Sequence, residues 1–296
     1  MTPTAPAAEA APPAAARPAP ARRRRPRGRA LYNALGVLVA LVAGFPVYWM
    51  VNTAFKPAKD AIDPDPKFLP WPMTLDNVRR AFQISDFWGP IGRSLVIAAS
   101  TVGIGLVVGL LAALAISRFA FRGRRAVIVG ILTVQMVPLI AMIIPVFLML
   151  NDIGQYDKLT GIILTYLTFI LPFTVWTLRG FIVNIPRELE ESAMVDGCSR
   201  TGAFVRVVFP LLAPGLVATA VYGFIQAWNE YLYALMLLSK EHQTAPVWLG
   251  NFTTQHGTEY APMMAGATLM AVPVVVFFLL VQRRIASGLT AGAVKG

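Results

Sequence analysis

Charge is scarce in this chain. Asp, Glu, Lys and Arg make up 14% of its 296 residues, hydrophobic residues 56%, and the mean hydropathy is +0.60. So few charges cannot skin a soluble core of this size, which places the chain in lipid. Cysteine occurs once, at Cys198, which excludes an internal disulfide framework. The two histidines, His242 and His256, offer no metal-ligand spacing, and no metal is expected. No G-x-x-x-x-G-K-[S/T] phosphate loop is present, so energy from a nucleotide has to come from another chain. Period-two alternation is missing too, which argues against a lipid-facing β-barrel and for helices that satisfy their own backbone.

What remains is a set of long apolar runs. Six of them, at about 31–52, 92–116, 126–150, 160–183, 211–238 and 262–282, approach the ~20 residues that a helix needs to cross ~30 Å of hydrocarbon. The expected fold is an all-α membrane protein with six transmembrane helices. Cationic residues orient it. With both termini cytoplasmic, 18 of the 26 Lys and Arg fall on the inner side, while 10 of the 15 Asp and Glu fall outside or within the membrane. The basic balance therefore reports topology, and no nucleic-acid partner is expected.

Residues 1–30 are nearly all Ala, Pro and Arg and read as a disordered basic cytoplasmic tail, its arginines held by anionic membrane lipid. The apolar run that follows is too long for a signal-peptide core and is expected to stay as the first span. A proline-rich loop carrying Trp71 and Trp88 fills 53–90. In the second span Gly105 and Gly109 form a GxxxG pair, read as a groove for close helix packing. Pro138, Pro145 and Pro172 mark kinks or packing irregularities in the third and fourth spans. The loop from Ser117 to Arg125 is a positive-inside anchor and a candidate partner contact.

The most informative stretch is the charged island from Pro186 to Pro214. Pro186 precedes Glu188, Glu190 and Glu191, so proline stands at a helix start and acids fill the first turn, where the macrodipole favours them. Gly197 then ends that helix, and Ser199 or Thr201 caps a second one showing Phe204, Val205, Val207, Val208 and Phe209 at helical spacing. Physics alone allows two outcomes: an amphipathic helix lying on the membrane, or a lever for a soluble partner to grip.

The order Glu190-Glu191-Ser192-Ala193, Asp196-Gly197, Phe204, Pro210-Leu211 resembles the EAA motif of ABC importer permeases. The resemblance runs through residues 31–296 and is strongest to carbohydrate-uptake permeases, specifically the shorter membrane subunit of the maltose type. Ala113 to Phe119 with Phe121-Arg122-Gly123, Phe181-Ile182 before Ile185-Pro186, Trp228-Asn229-Glu230-Tyr231, and Gly288 to Gly296 carry that narrower match. Ser192 and Cys198 depart from the alanines usual there, and both are small enough to keep the geometry. The resemblance implies a six-helix permease domain over 31–284, with its core from about 91, a coupling loop over 185–210 and a cytoplasmic tail over 285–296. It implies that Glu190, Glu191, Ala193, Asp196, Gly197, Phe204 and Pro210 couple to an ATPase, and that Gly292, Val294 and Lys295 reach between two ATPase subunits. A second permease subunit and an extracytoplasmic solute-binding protein complete the implied assembly. ATP and Mg would bind the partner ATPase, and this chain, not an enzyme, would bind no cofactor.

For the solute, the fifth run carries Gln226, Trp228, Asn229, Glu230 and Tyr231, which combine aromatic faces with polar groups. A carboxylate in a span costs ~2.5–3.5 kcal/mol for residues such as Asp, so Glu230 is a candidate pathway residue; packing or contact with the external binding protein is the rival reading. A proton-coupled secondary transporter would need several buried acids or histidines and repeated halves, and an intramembrane hydrolase a nucleophile with a base at depth. Neither pattern is present. An ABC importer for a solute other than sugar stays open at this level.

Overall fold

The computed structural model describes residues 29–84, 86–255 and 257–292, with side chains from 31 to 282 within those ranges. The described residues up to Pro46 form one unit and those from Val47 a second. Helix α1 (Arg29–Ala54) contains Pro46. Of the tail expected over 1–30, residues 1–28 lie outside the described residues. The second unit continues with a 3₁₀ turn (Ala58–Ala61), α2 (Asp76–Ile84), α3 (Trp88–Arg118), α4 (Arg124–Val134), a 3₁₀ turn (Leu139–Met142), α5 (Ile143–Asp152) and α6 (Leu159–Val183). Then come α7 (Arg187–Val195), α8 (Arg200–Leu211), α9 (Ala213–Asn229), α10 (Leu232–Leu237) and α11 (Ala245–Leu249). A two-residue hairpin, β1 (Thr253–Thr254) with β2 (Gly257–Thr258), precedes α12 (Tyr260–Gly292).

Among the described residues four helices are long and apolar enough to cross a membrane, and up to six spans result if each of two bent pairs counts once. One pair is α4 with the segment Leu139–Asp152, bent by 95°; the other is α8 with α9, bent by 66°. The third run thus breaks at Pro138, whose extended backbone (ψ 117°) leads into the 3₁₀ turn. Pro145 sits in the first turn of α5 and Pro172 inside a continuous α6. The fifth run, expected as one span over 211–238, is corrected: α9 stops at Asn229, Glu230 is extended, and α10 is a separate short helix.

Helices have no hydrophobic drive toward one another in lipid, so close packing must hold them. Small residues supply it here. A Cβ added to Gly105 would stand 3.4 Å from Ile170, and one on Gly109 would stand 2.5 Å from the Thr174 methyl, so α3 and α6 approach through the GxxxG face. Helix α9 uses the same device: a Cβ on Gly215 would meet the Phe181 ring at 2.7 Å. Two buried clusters result. One surrounds Trp248, which packs against Phe87 and Phe252; the other, at the Arg118 end of α3, joins Ala113, Ile116, Leu178, Ile182, Val208 and Leu212.

The proline-rich loop is held by side chains reaching backbone. Buried Asn77 donates to the carbonyls of Ala54 (2.9 Å) and Lys56 (2.6 Å), and Lys67 pairs with Asp60 at 2.7 Å.

Gly109→Ala is expected to destabilise by about 1–3 kcal/mol, because Thr174 is buried and its hydroxyl is engaged on the Ile170 carbonyl, so it cannot retreat cheaply. Gly103→Ala, which meets open space, should be neutral or slightly stabilising. Thermal unfolding of the detergent-solubilised chain followed by tryptophan fluorescence separates the two variants.

Candidate functional site

The segment from Pro186 to Leu211 folds as two short helices joined by a tight turn, each junction set by local chemistry. Pro186 caps α7 from outside, and Glu188 and Glu190 occupy the first turn. At its end the Gly197 N–H donates to the Met194 carbonyl (3.1 Å) and the Cys198 N–H to the Ala193 carbonyl (3.0 Å), with Gly197 at φ 91°. That is the Schellman arrangement, and its left-handed residue is why glycine stands there. Two residues on, Ser199 caps α8: its hydroxyl accepts the Gly202 N–H at 3.1 Å. Asp196 is exposed at the α7 C-cap.

Helix α8 then widens into a π turn over Phe204–Val208, where the Phe209 N–H reaches the Phe204 carbonyl. Pro210 follows immediately. It has no N–H to continue the ladder and its ring crowds the preceding turn, which the wider turn accommodates. Phe204 packs on the cluster at the Arg118 end of α3, so the second arm of the lever is fixed to the helix bundle.

The first arm is fixed by charge. The Arg118 guanidinium donates to the Ile185 carbonyl (3.1 Å) and lies 2.5 Å from the Glu190 carboxylate, and the two side chains are only 12% and 21% exposed. Arg187 answers from the other direction, donating to the carbonyls of Ser117 (3.5 Å) and Arg118 (3.3 Å), where α3 has run out of intrahelical partners. Glu190 therefore spends its charge within the chain. Glu191 is exposed and has no ion pair among the described residues, and Val195, 87% exposed, stands beside the Gly197 turn. A cavity of about 620 Å³ lies between the lever and the end of α3.

At the second group of expected residues the chain breaks. The Glu230 carboxylate accepts hydrogen bonds from the Tyr166 hydroxyl (2.7 Å), the Tyr233 N–H (2.9 Å) and the Ala234 N–H (3.0 Å), so it caps α10 in place of the backbone that the break removes. Tyr233 in turn donates to the Leu139 carbonyl (2.7 Å), tying this break to the one after α4. Between the two breaks lies a cavity of about 330 Å³ whose polar lining includes Gln226, Asn229, Glu230 and Tyr231. Trp228 does not line it. It is 1% exposed and stacks on Phe224 with centroids 5.6 Å apart, a core position. Tyr166, which completes the Glu230 site, was not singled out; nothing local marks it.

Gly292 ends α12, while Val294 and Lys295 lie outside the described residues. Among the described residues no group of three His, Cys, Asp or Glu side chains stands together as a metal site.

A bundle of long apolar helices with the segment Pro186–Leu211 clamped to the end of α3 has the architecture of a multi-pass membrane protein. Residues 105–290 match the family described as "Binding-protein-dependent transport system inner membrane component", and the chain belongs to that family. It is a permease subunit of a bacterial ABC importer, a multi-pass protein of the inner membrane. It is 43% identical over 270 residues to the diacetylchitobiose uptake system permease protein of Streptomyces coelicolor, covering 91% of this chain and 98% of that one. It is 41% identical to the trehalose transport system permease protein of Mycobacterium tuberculosis, covering 90% and 98%. The fold is shared with a chain of a bacterial ABC transporter involved in alginate import, at TM-score 0.72 and 22% identity over 87% of this chain and 97% of that one.

Removing one partner of the half-buried pair, as in Glu190→Gln, is expected to cost about 1–3 kcal/mol, between the values for exposed and buried pairs. Hydrogen exchange should rise first in α7. The reversed pair Arg118→Glu with Glu190→Arg should recover part of the protection.

Proposed function

We propose that the chain forms one half of the membrane channel of a sugar or oligosaccharide importer, and that the lever transmits ATP-driven closure of a partner ATPase to the membrane helices. The observation that carries the reading is the double attachment of the lever: Arg118 with Glu190 and Arg187 on one arm, Phe204 on the other. A segment held this way hands a push on α7 to α3 and α6 instead of bending under it. The sugar class follows from the diacetylchitobiose and trehalose systems of the relatives.

In this reading there are six spans with both termini cytoplasmic, the permease domain covers 31–284 and its lever faces inward. Glu191, Asp196 and Val195 meet the ATPase, Gly197 and Ala193 keep the turn, and Glu190 positions the arm. The tail with Gly292, Val294 and Lys295 reaches toward the two ATPase subunits. A second permease subunit and an external solute-binding protein complete the assembly. The chain is not an enzyme and holds no cofactor; ATP and Mg belong to the ATPase. Gln226, Asn229, Glu230 and Tyr231 border the solute path, with three of the roughly four acceptor sites of Glu230 taken by donors of this chain.

The single cysteine gives a direct topological test. A membrane-impermeant maleimide should label Cys198 in inside-out vesicles and leave it untouched in intact cells; the opposite pattern would overturn the orientation. For coupling, Glu191→Lys and Gly197→Pro should abolish co-purification of the ATPase while leaving the membrane level of the chain unchanged. Retention of the ATPase by both variants would contradict the assigned role of the lever.

A further inference from the structure

We propose that the cavity under the lever is a binding site for an anionic phospholipid of the inner leaflet, with its phosphate among the arginines and the start of an acyl chain along α3. The cavity has two different walls. Leu111, Leu114 and Phe119 from α3 face Met194, Phe204 and Val205 from the lever, and Leu111, Phe119 and Val205 are more than half exposed. Charge gathers at the other end, where Arg118, Arg187 and Arg200 meet Glu190 and Glu191.

The charges do not cancel. Glu190 is taken by Arg118, Arg187 is spent on uncharged carbonyls and keeps its charge, and neither Arg200 nor Glu191 has an ion pair among the described residues, so three arginines against two glutamates leave one positive charge in excess. One donor is left over in the wall: the Arg118 Nε is buried and has no hydrogen-bond partner among the described residues. A buried donor without an acceptor costs free energy that a phosphate oxygen would recover.

Depth distinguishes a lipid from a soluble anion. Leu111 lies seven residues before Arg118 on one helix, about 10 Å higher at 1.5 Å per residue. The cavity thus runs from the level of the positive-inside arginines into the hydrocarbon, the reach of a phosphoglycerol group and its first methylenes. Basic pockets between spans at the cytoplasmic face suit anionic headgroups, and the apolar wall has no use for a free phosphate. Bound there, the lipid braces the lever against α3 beside the Arg118–Glu190 pair.

This rests on the inward placement of the lever proposed above, which one-sided labelling of Cys198 tests separately. The full chain is reconstituted in nanodiscs of phosphatidylcholine that carry a trace of photoactivatable phosphatidylglycerol or photoactivatable phosphatidylcholine. After irradiation, labelled peptides are mapped. The expected result is phosphatidylglycerol label on peptides covering 111–119 and 194–205, about five-fold above phosphatidylcholine, with that preference lost in Arg200→Gln, as one cation at a membrane surface contributes. Val205→Trp, which fills the apolar half, should abolish label at both peptides. Equal labelling by the two lipids, label that survives Val205→Trp, competition by soluble glycerol phosphate, or complete exclusion by the bound ATPase would each overturn the proposal. Both variants should keep the wild-type thermal midpoint within about 2 °C, and the comparison of the two lipids on the unaltered chain needs no variant.

Discussion

The close approach of α3 and α6 through Gly105 and Gly109 is the constraint on which the rest depends. Without side chains at those positions, the two helices lie near enough for their ends to share groups. Helix α3 ends at Arg118 and α6 at Val183, so the guanidinium reaches the Ile185 carbonyl two residues past α6 and the Glu190 carboxylate beyond it. A larger residue at Gly109 would push the Thr174 side of α6 away and lengthen those contacts. Lever geometry is thus downstream of a packing choice in the middle of the membrane.

The chain breaks after α4 and after α9, and side chains take up backbone groups that each break releases. The break after Asn229 frees N–H groups at the start of α10, and the Glu230 carboxylate takes two of them. Tyr166 supplies a third hydrogen bond to the carboxylate. The break after α4 is bridged by the Tyr233 hydroxyl on the Leu139 carbonyl. The Tyr233 hydroxyl thus ties the two irregular segments together beside a cavity lined by both apolar and polar side chains.

Legibility followed the range of the interaction. Pro186, Gly197 and Ser199 act within a few residues, and their roles as helix start, left-handed terminator and cap were readable from order and spacing. The apolar runs were readable because hydrocarbon thickness fixes their length. The partners of Arg118 and of Glu230 were not: Glu190 lies 72 residues from Arg118 and Tyr166 lies 64 from Glu230, distances that only the packed bundle closes. The place of Trp228 is set in the same way. An aromatic residue beside polar neighbours reads as a sugar platform, yet the helical turn sends it to the Phe224 side, away from the cavity.

The account stands on the lever and the end of α3 moving as one body. In a Cys198→Ser background, spin labels at Phe121 and Val195 of the assembled transporter would report their separation by double electron–electron resonance. The prediction is one narrow distance distribution that is the same with and without nucleotide, while the transporter as a whole changes state. A distribution that broadens or shifts on nucleotide binding would show the lever swinging free of α3 and contradict the account.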